Sequence, residues 1–166
     1  MGLKEDIDRI ARQEQALVFP EFTENTAFKL GTSLRRLAEN NAWGLTIDIR
    51  DFTRPLFYAA TPGTTPENVD WMRRKFNVVK HFHKSSYRVG LEMRLKETTL
   101  EARSGLPVAD YAAHGGGFPL RVAGAGVIGC ITISGLPQRQ DHETVVEALC
   151  RMLGKDFVDY ALGPEV

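Results

Sequence analysis

Apolar residues recur at helical spacing along the first forty positions of the chain. Leu3, Ile7, Ile10 and Leu17 predict an amphipathic helix up to about Leu17, ended by Phe19-Pro20. A second helix is predicted from about Glu24 to Asn40, with Thr23 as its N-cap, Ala27, Leu30, Leu34, Leu37 and Ala38 as its stripe, and Asn40-Asn41 as its stop. The period then drops to two. Leu45, Ile47 and Ile49 alternate with Thr46, Asp48 and Arg50, the pattern of a half-buried strand, and Leu56 to Ala60 reads as its hairpin partner. After the loop 61–66, Thr65 as N-cap and Pro66 at the first helical position start a helix to about Lys84, with room for a kinked continuation through Leu95. Leu120 and Val122 mark another strand, and Val127 to Ile133 is apolar on both faces, as a central strand requires. Asp141 is expected to cap a last helix carrying Val145, Leu149, Met152, Leu153 and Phe157.

This order, two helices, a hairpin, a helix, a hairpin and a helix, contains no repeated β-α-β crossover. The expected class is therefore α/β in the α+β sense, an antiparallel sheet of about five strands flanked by helices. At 166 residues the chain is expected to form one domain spanning 1–166, burying roughly 70% of its unfolded surface. The 21 basic and 21 acidic side chains cancel, so charge provides no case for nucleic acid or an anionic membrane as partner. The charged start, Leu3-Lys4-Glu5-Asp6, has no apolar core of a signal peptide, and the longest apolar run is broken by glycines; the expected location is cytoplasmic. Cys130 and Cys150 fall inside apolar patterns and read as reduced core thiols.

The segment that points to a site is His114-Gly115-Gly116-Gly117-Phe118-Pro119. Three glycines contribute no packing and cost backbone entropy, so they belong where a loop needs positive φ or where a ligand or another backbone comes close. The N–H groups of Gly115, Gly116 and Gly117 could form an anion nest, with His114 supplying a charge or a bond to a metal or haem iron; the competing reading is a tight turn feeding a strand. His-Gly-Gly-Gly also occurs in esterase oxyanion holes, but no Gly-x-Ser-x-Gly elbow exists here and Ser134 has no such setting. Dinucleotide and P-loop fingerprints and the His-Glu-x-x-His motif are absent from the sequence as well.

On the helix after Pro66, Val69, Met72, Phe76, Val79 and His83 share one stripe, and His81 points away from His83, so the pair cannot chelate one metal. His83 is open to a structural or a ligand-binding role. Trp71, Val78 and Phe82, with Lys75 beside them, form a second stripe that the same sheet cannot cover. Either a neighbouring element of the chain or a subunit partner must do so, and the partner reading makes these three residues an interface. His142 is expected to be exposed, and Asp48 with Arg50 to be a solvated pair or the floor of a pocket.

Taken together, His114 to Leu120, Gly126-Val127-Ile128-Gly129, Ile133-Ser134-Gly135 and Gln140-Asp141 resemble the C-terminal half of the GlcG/HbpS-like haem-degrading superfamily. Arg73-Arg74-Lys75 and Lys84-Ser85-Ser86-Tyr87 are more similar to its uncharacterised UPF0303 branch. The resemblance covers residues 3 to 162 and implies a profilin-like fold, assembly as a homo-oligomer, and haem or a related small molecule as ligand in some members. Gly129-Cys130-Ile131-Thr132 departs from the alanine- and glycine-rich strand of the haem-binding members. The expectation is a homo-oligomer that binds a small anionic molecule near the glycine loop, with His83, His114 and Gly115 to Gly117 as its binding residues. Two alternatives remain. One is a haem-binding or haem-degrading protein with a histidine iron ligand, the other an adaptor docking another protein through the aromatic stripe.

Overall fold

The architecture, taken from a computed structural model that describes residues 2–165, is one five-stranded sheet between helices. The elements are α1 (Leu3–Ala16), β1 (Val18–Phe19), α2 (Glu24–Asn40), β2 (Thr46–Asp51), β3 (Pro55–Ala60), α3 (Pro66–Phe82), α4 (Ser86–Leu95), α5 (Leu100–Ser104), β4 (Gly117–Val122), β5 (Gly126–Ser134) and α6 (Gln138–Met152). The sheet order is β1-β4-β5-β2-β3. The long strands pair antiparallel, as expected, and β1 adds a two-residue parallel edge beside β4.

The alternation of β2 and β5 explains both faces of the sheet. Ile47 pairs with Ile133 and Ile49 with Ile131, and these side chains pack with Leu30 and Leu34 of α2 and Val145 and Leu149 of α6. The register puts Thr46 beside Ser134, Asp48 beside Thr132 and Arg50 beside Cys130 on the opposite face, which α3 covers. Thr46 and Asp48 are buried there, so β2 is enclosed on both sides rather than half-buried. Burying Asp48 requires a partner, and Arg50 supplies two hydrogen bonds, 2.6 and 2.9 Å, while its guanidinium rests on the Phe76 ring. The solvated reading of this pair is thus corrected: its carboxylate lies in the interior.

Local signals set the helix starts. Thr23 accepts the N–H of Thr26 at the start of α2, and Pro66 is the first residue of α3, as expected. The helix after Pro66 does not run on through Lys84. His83 adopts the left-handed conformation (φ 55°) and ends α3, and Ser85 caps a separate α4. The short α5 and β1 carry too few residues to show periodicity and lie outside the sequence expectation. Phe157 sits in a 3-10 turn beyond α6.

The start of α6 brings two further corrections. Pro137 holds the N-cap position, so Asp141 lies within the first turn of the helix and caps nothing in the ordinary sense. His142, expected to be exposed, is fully buried against Tyr87 and Phe118, its Nε2 bonded to Gln13 at 2.8 Å. Both cysteines are free and buried. No helix among the described residues is long and apolar enough to cross a membrane.

Candidate functional site

The glycine loop is a junction of the chain with itself. A Cβ on Gly115 would stand 2.0 Å from the Gln138 carbonyl oxygen, and one on Gly116 2.4 Å from that of Ile133 and 2.7 Å from Lys75 Nζ. Gly116 also has φ 134°, a conformation side chains resist. Two of the three donors expected to form an anion nest are engaged: Gly115 N–H donates to Gln138 Oε1 at 3.2 Å and Gly117 N–H to Ser86 Oγ at 3.0 Å. The glycines therefore admit the protein's own backbone and the Lys75 ammonium.

Two cavities meet at His114, at the mouth of this loop. The larger, about 430 Å³, lies between α4, α5 and the segment 106–114. Leu91, Met93, Leu100, Leu106 and Tyr111 give it apolar walls, and Arg74, Arg94 and His114 bring nitrogen to its edge. The smaller, about 270 Å³, lies over the end of β5 and is lined by Asn68, Trp71, Lys75, His114, Ser134, Gln138 and Asp141 among others. His114 is packed edge-on against Trp71, with centroids 5.0 Å apart. Partial burial, with Lys75 and then Arg74 nearby, lowers its pKa and so favours the neutral imidazole, the form that offers a lone pair to a metal.

The floor of the smaller cavity is an ion pair far from water. Lys75 is 3% exposed and Asp141 1%. Lys75 Nζ donates to Asp141 Oδ2 at 3.0 Å and to the Ile133 carbonyl at 3.1 Å, while Asp141 Oδ1 accepts the Leu136 N–H at 3.0 Å. Burial pushes the lysine down and the carboxyl up, and their attraction opposes both shifts. Helix α3 supplies Lys75 from the same side as Val78 and Phe82, and α6 supplies Asp141, so the pair ties the two helices across the sheet end.

The remaining expected residues are dispersed. His83 stacks on Phe52, with centroids 5.4 Å apart, and lines neither cavity that meets at His114. Val78 is wholly enclosed by the chain, among Val89, Met93 and Leu100, with Phe82 packed on the same cluster. Of the aromatic stripe, Trp71 and Phe82 keep partial exposure. Among the described residues no group of three or more His, Cys, Asp or Glu is placed to hold a metal ion.

Residues 22–150 match the family described as haem degrading protein HbpS-like. UPF0303 proteins of Acidobacterium capsulatum and Burkholderia cenocepacia are 55% and 57% identical to the chain over 162 residues, 98% of each partner in the comparison. The chain belongs to the HbpS-like family, in its UPF0303 branch. The UPF0303 fold also matches the crystal structure of the Ybr137w protein, with a TM-score of 0.83 and 27% identity over 89% of this chain and 87% of that one. The crystal structure of a PduOC:heme complex matches with a TM-score of 0.65 and 16% identity, over 80% and 94% of the two chains. That of HbpS matches with 0.62 and 18%, over 81% and 91%.

For this UPF0303 chain, sequence reasoning singled out His114 but did not place Trp71, Lys75 and Asp141 beside it. Lys75 carried a readable signal. It sits three residues after Met72 and four before Val79, both buried, and a lysine flanked this way on a helix must find a counter-charge. Its partner is 66 positions away, so no local pattern names it.

Proposed function

We propose that the protein binds a flat, mostly apolar small molecule carrying acidic groups, of the haem class, in the 430 Å³ cavity beside His114. The carrying observation is the composition of that cavity: apolar walls, with two arginines and one histidine against a single acid, Glu101. Its volume falls within the roughly 300–1,000 Å³ of small-molecule sites. The residues fit haem chemically. Neutral His114 is the one nitrogen ligand on offer, and Arg74 and Arg94 suit carboxylates. Arg74 is already oriented, with two hydrogen bonds to the Val108 carbonyl and its guanidinium 4.6 Å from the Trp71 ring centroid. Bound haem would supply redox chemistry; the chain's part is to hold it, to neutralise its acidic edge and to shelter it between α4 and the 106–114 segment.

This reading keeps a small anionic ligand near the glycine loop and moves its recognition from glycine N–H groups to arginine and histidine side chains. Membership of the HbpS-like family supports it. Titration with haemin tests it: a sharpened Soret band is expected for the wild-type chain and its loss for His114→Ala. An unchanged haemin spectrum with the wild-type protein, or the same band in both proteins, refutes it.

The protein works, in this proposal, as a cytoplasmic homo-oligomer. The partly exposed Trp71 and Phe82 are what remains of the stripe for a second copy. Light scattering should show a dimer or larger, and Trp71→Glu should reduce it; a monomer at micromolar concentration defeats the assembly.

A further inference from the structure

We propose that Lys75 forms an imine with small polar aldehydes or ketones in the 270 Å³ cavity, with Asp141 as its proton partner. The site is distinct from the apolar cavity and its chemistry does not depend on what that cavity binds.

Four features of the arrangement carry the inference. The side chain is almost wholly removed from water yet belongs to the lining of a cavity of about 270 Å³. Its hydrogen bonds are directional, to the Ile133 carbonyl and Asp141 Oδ2, which leaves one of its three N–H positions free of these two acceptors. Its place is fixed on one side by close packing on the Gly116 backbone, where a Cβ would lie 2.7 Å from Nζ. The other lining groups, Asn68, Ser134, Gln138 and His114 with the Trp71 ring, offer amide, hydroxyl and imidazole contacts suited to carbonyl compounds bearing hydroxyl or carboxylate groups. Desolvation lowers the lysine, which makes the neutral amine more accessible.

The step balances without an oxidant or reductant. Lys75 passes one proton to Asp141, and the freed lone pair forms a C–N bond to the carbonyl carbon as the C=O π pair moves onto oxygen. That oxygen recovers the proton from Asp141, giving a carbinolamine. A second nitrogen proton then moves to the hydroxyl, the C–O bond breaks and water leaves, and a protonated imine stays paired with the Asp141 carboxylate.

Reductive trapping tests this. The native chain is treated with glyoxylate and cyanoborohydride at pH 7 and mapped by peptide mass spectrometry. Lys75 is expected to be labelled about ten-fold faster than Lys80, the exposed lysine one turn further along α3, and Lys75→Arg to abolish that label. A purely structural ion pair predicts the reverse, with Lys75 the most protected lysine; labelling at or below the Lys80 level overturns the proposal. Should Lys75→Arg fail to fold, the Lys75 to Lys80 ratio in the wild-type chain decides alone. The haemin spectrum of the wild-type protein is read separately, so either proposal can fail without the other.

Discussion

The two cavities that share His114 are built on different parts of the fold. The apolar one is walled by α4, the five-residue α5 and an irregular segment, tied to α3 through the satellite cluster of Val78, Val89, Met93 and Leu100. The polar one rests on the end of the central strand β5 and on two buried, opposite charges fixed by hydrogen bonds. Apolar walls on short elements can shift to accommodate a ligand, since dispersion contacts are individually weak and non-directional. A hydrogen-bonded buried charge cannot move without losing its partner. Changes at the polar cavity should therefore cost stability, and changes at the apolar one should cost affinity.

The sharpest break of that contrast comes from Lys75→Met. It strands the Asp141 carboxylate in the interior, and urea unfolding should show a loss of about 3–5 kcal/mol. Adding Asp141→Leu should recover part of this by removing the stranded charge, but only part, because the Leu136 N–H then loses its acceptor. Gly116→Val comes next, at about 3 kcal/mol in the same assay, from the positive φ together with the Ile133 carbonyl where a Cβ would sit.

A pH dependence of about 2 kcal/mol follows from His142, the residue after Asp141 on α6. Burial, helped by Arg139, pushes its pKa from 6.5 down to about 3. The folded state thus keeps it neutral, and the stability it contributes is present above pH 6.5 and lost progressively as pH falls from there toward about 3. Between pH 7 and pH 5 the wild-type chain should lose about 2 kcal/mol from this group, and His142→Gln should not show that part of the loss. Equal pH slopes for the two proteins would place the acid sensitivity elsewhere.

How far the sequence revealed these regions depends on the range of the interactions. The helix starts at Thr23 and Pro66, the β2 alternation, the central place of β5 and the antiparallel order were legible, because each rests on residues within a turn or two. The break at His83 was not: a non-glycine residue in the left-handed conformation leaves no composition signal, and the apolar stripe of α3 points straight across it. Asp141 looked like a cap because it follows a Gly-Leu-Pro stretch near a helix start; Pro137 takes that position and frees the carboxylate for Lys75. His142 looked exposed because its polar neighbours hid a face that meets Tyr87 and Phe118 only in three dimensions. The glycine run was correctly read as a place of close approach, and what approaches is the chain itself.

The smallest expected effect on stability belongs to the apolar cavity, and it bears on the central claim. Leu106→Trp fills space beside the 106–114 segment and should change unfolding free energy by no more than about 1 kcal/mol, since Leu106 is only partly buried at a wall that can yield. The decisive measurement is the haemin dissociation constant of this variant, set beside that of the wild type and of Asn68→Phe, which fills the polar cavity instead. The account predicts at least about a ten-fold weaker affinity for Leu106→Trp, equivalent to 1.4 kcal/mol, and an unchanged one for Asn68→Phe. Equal affinities for Leu106→Trp and wild type, or a loss confined to Asn68→Phe, would contradict it.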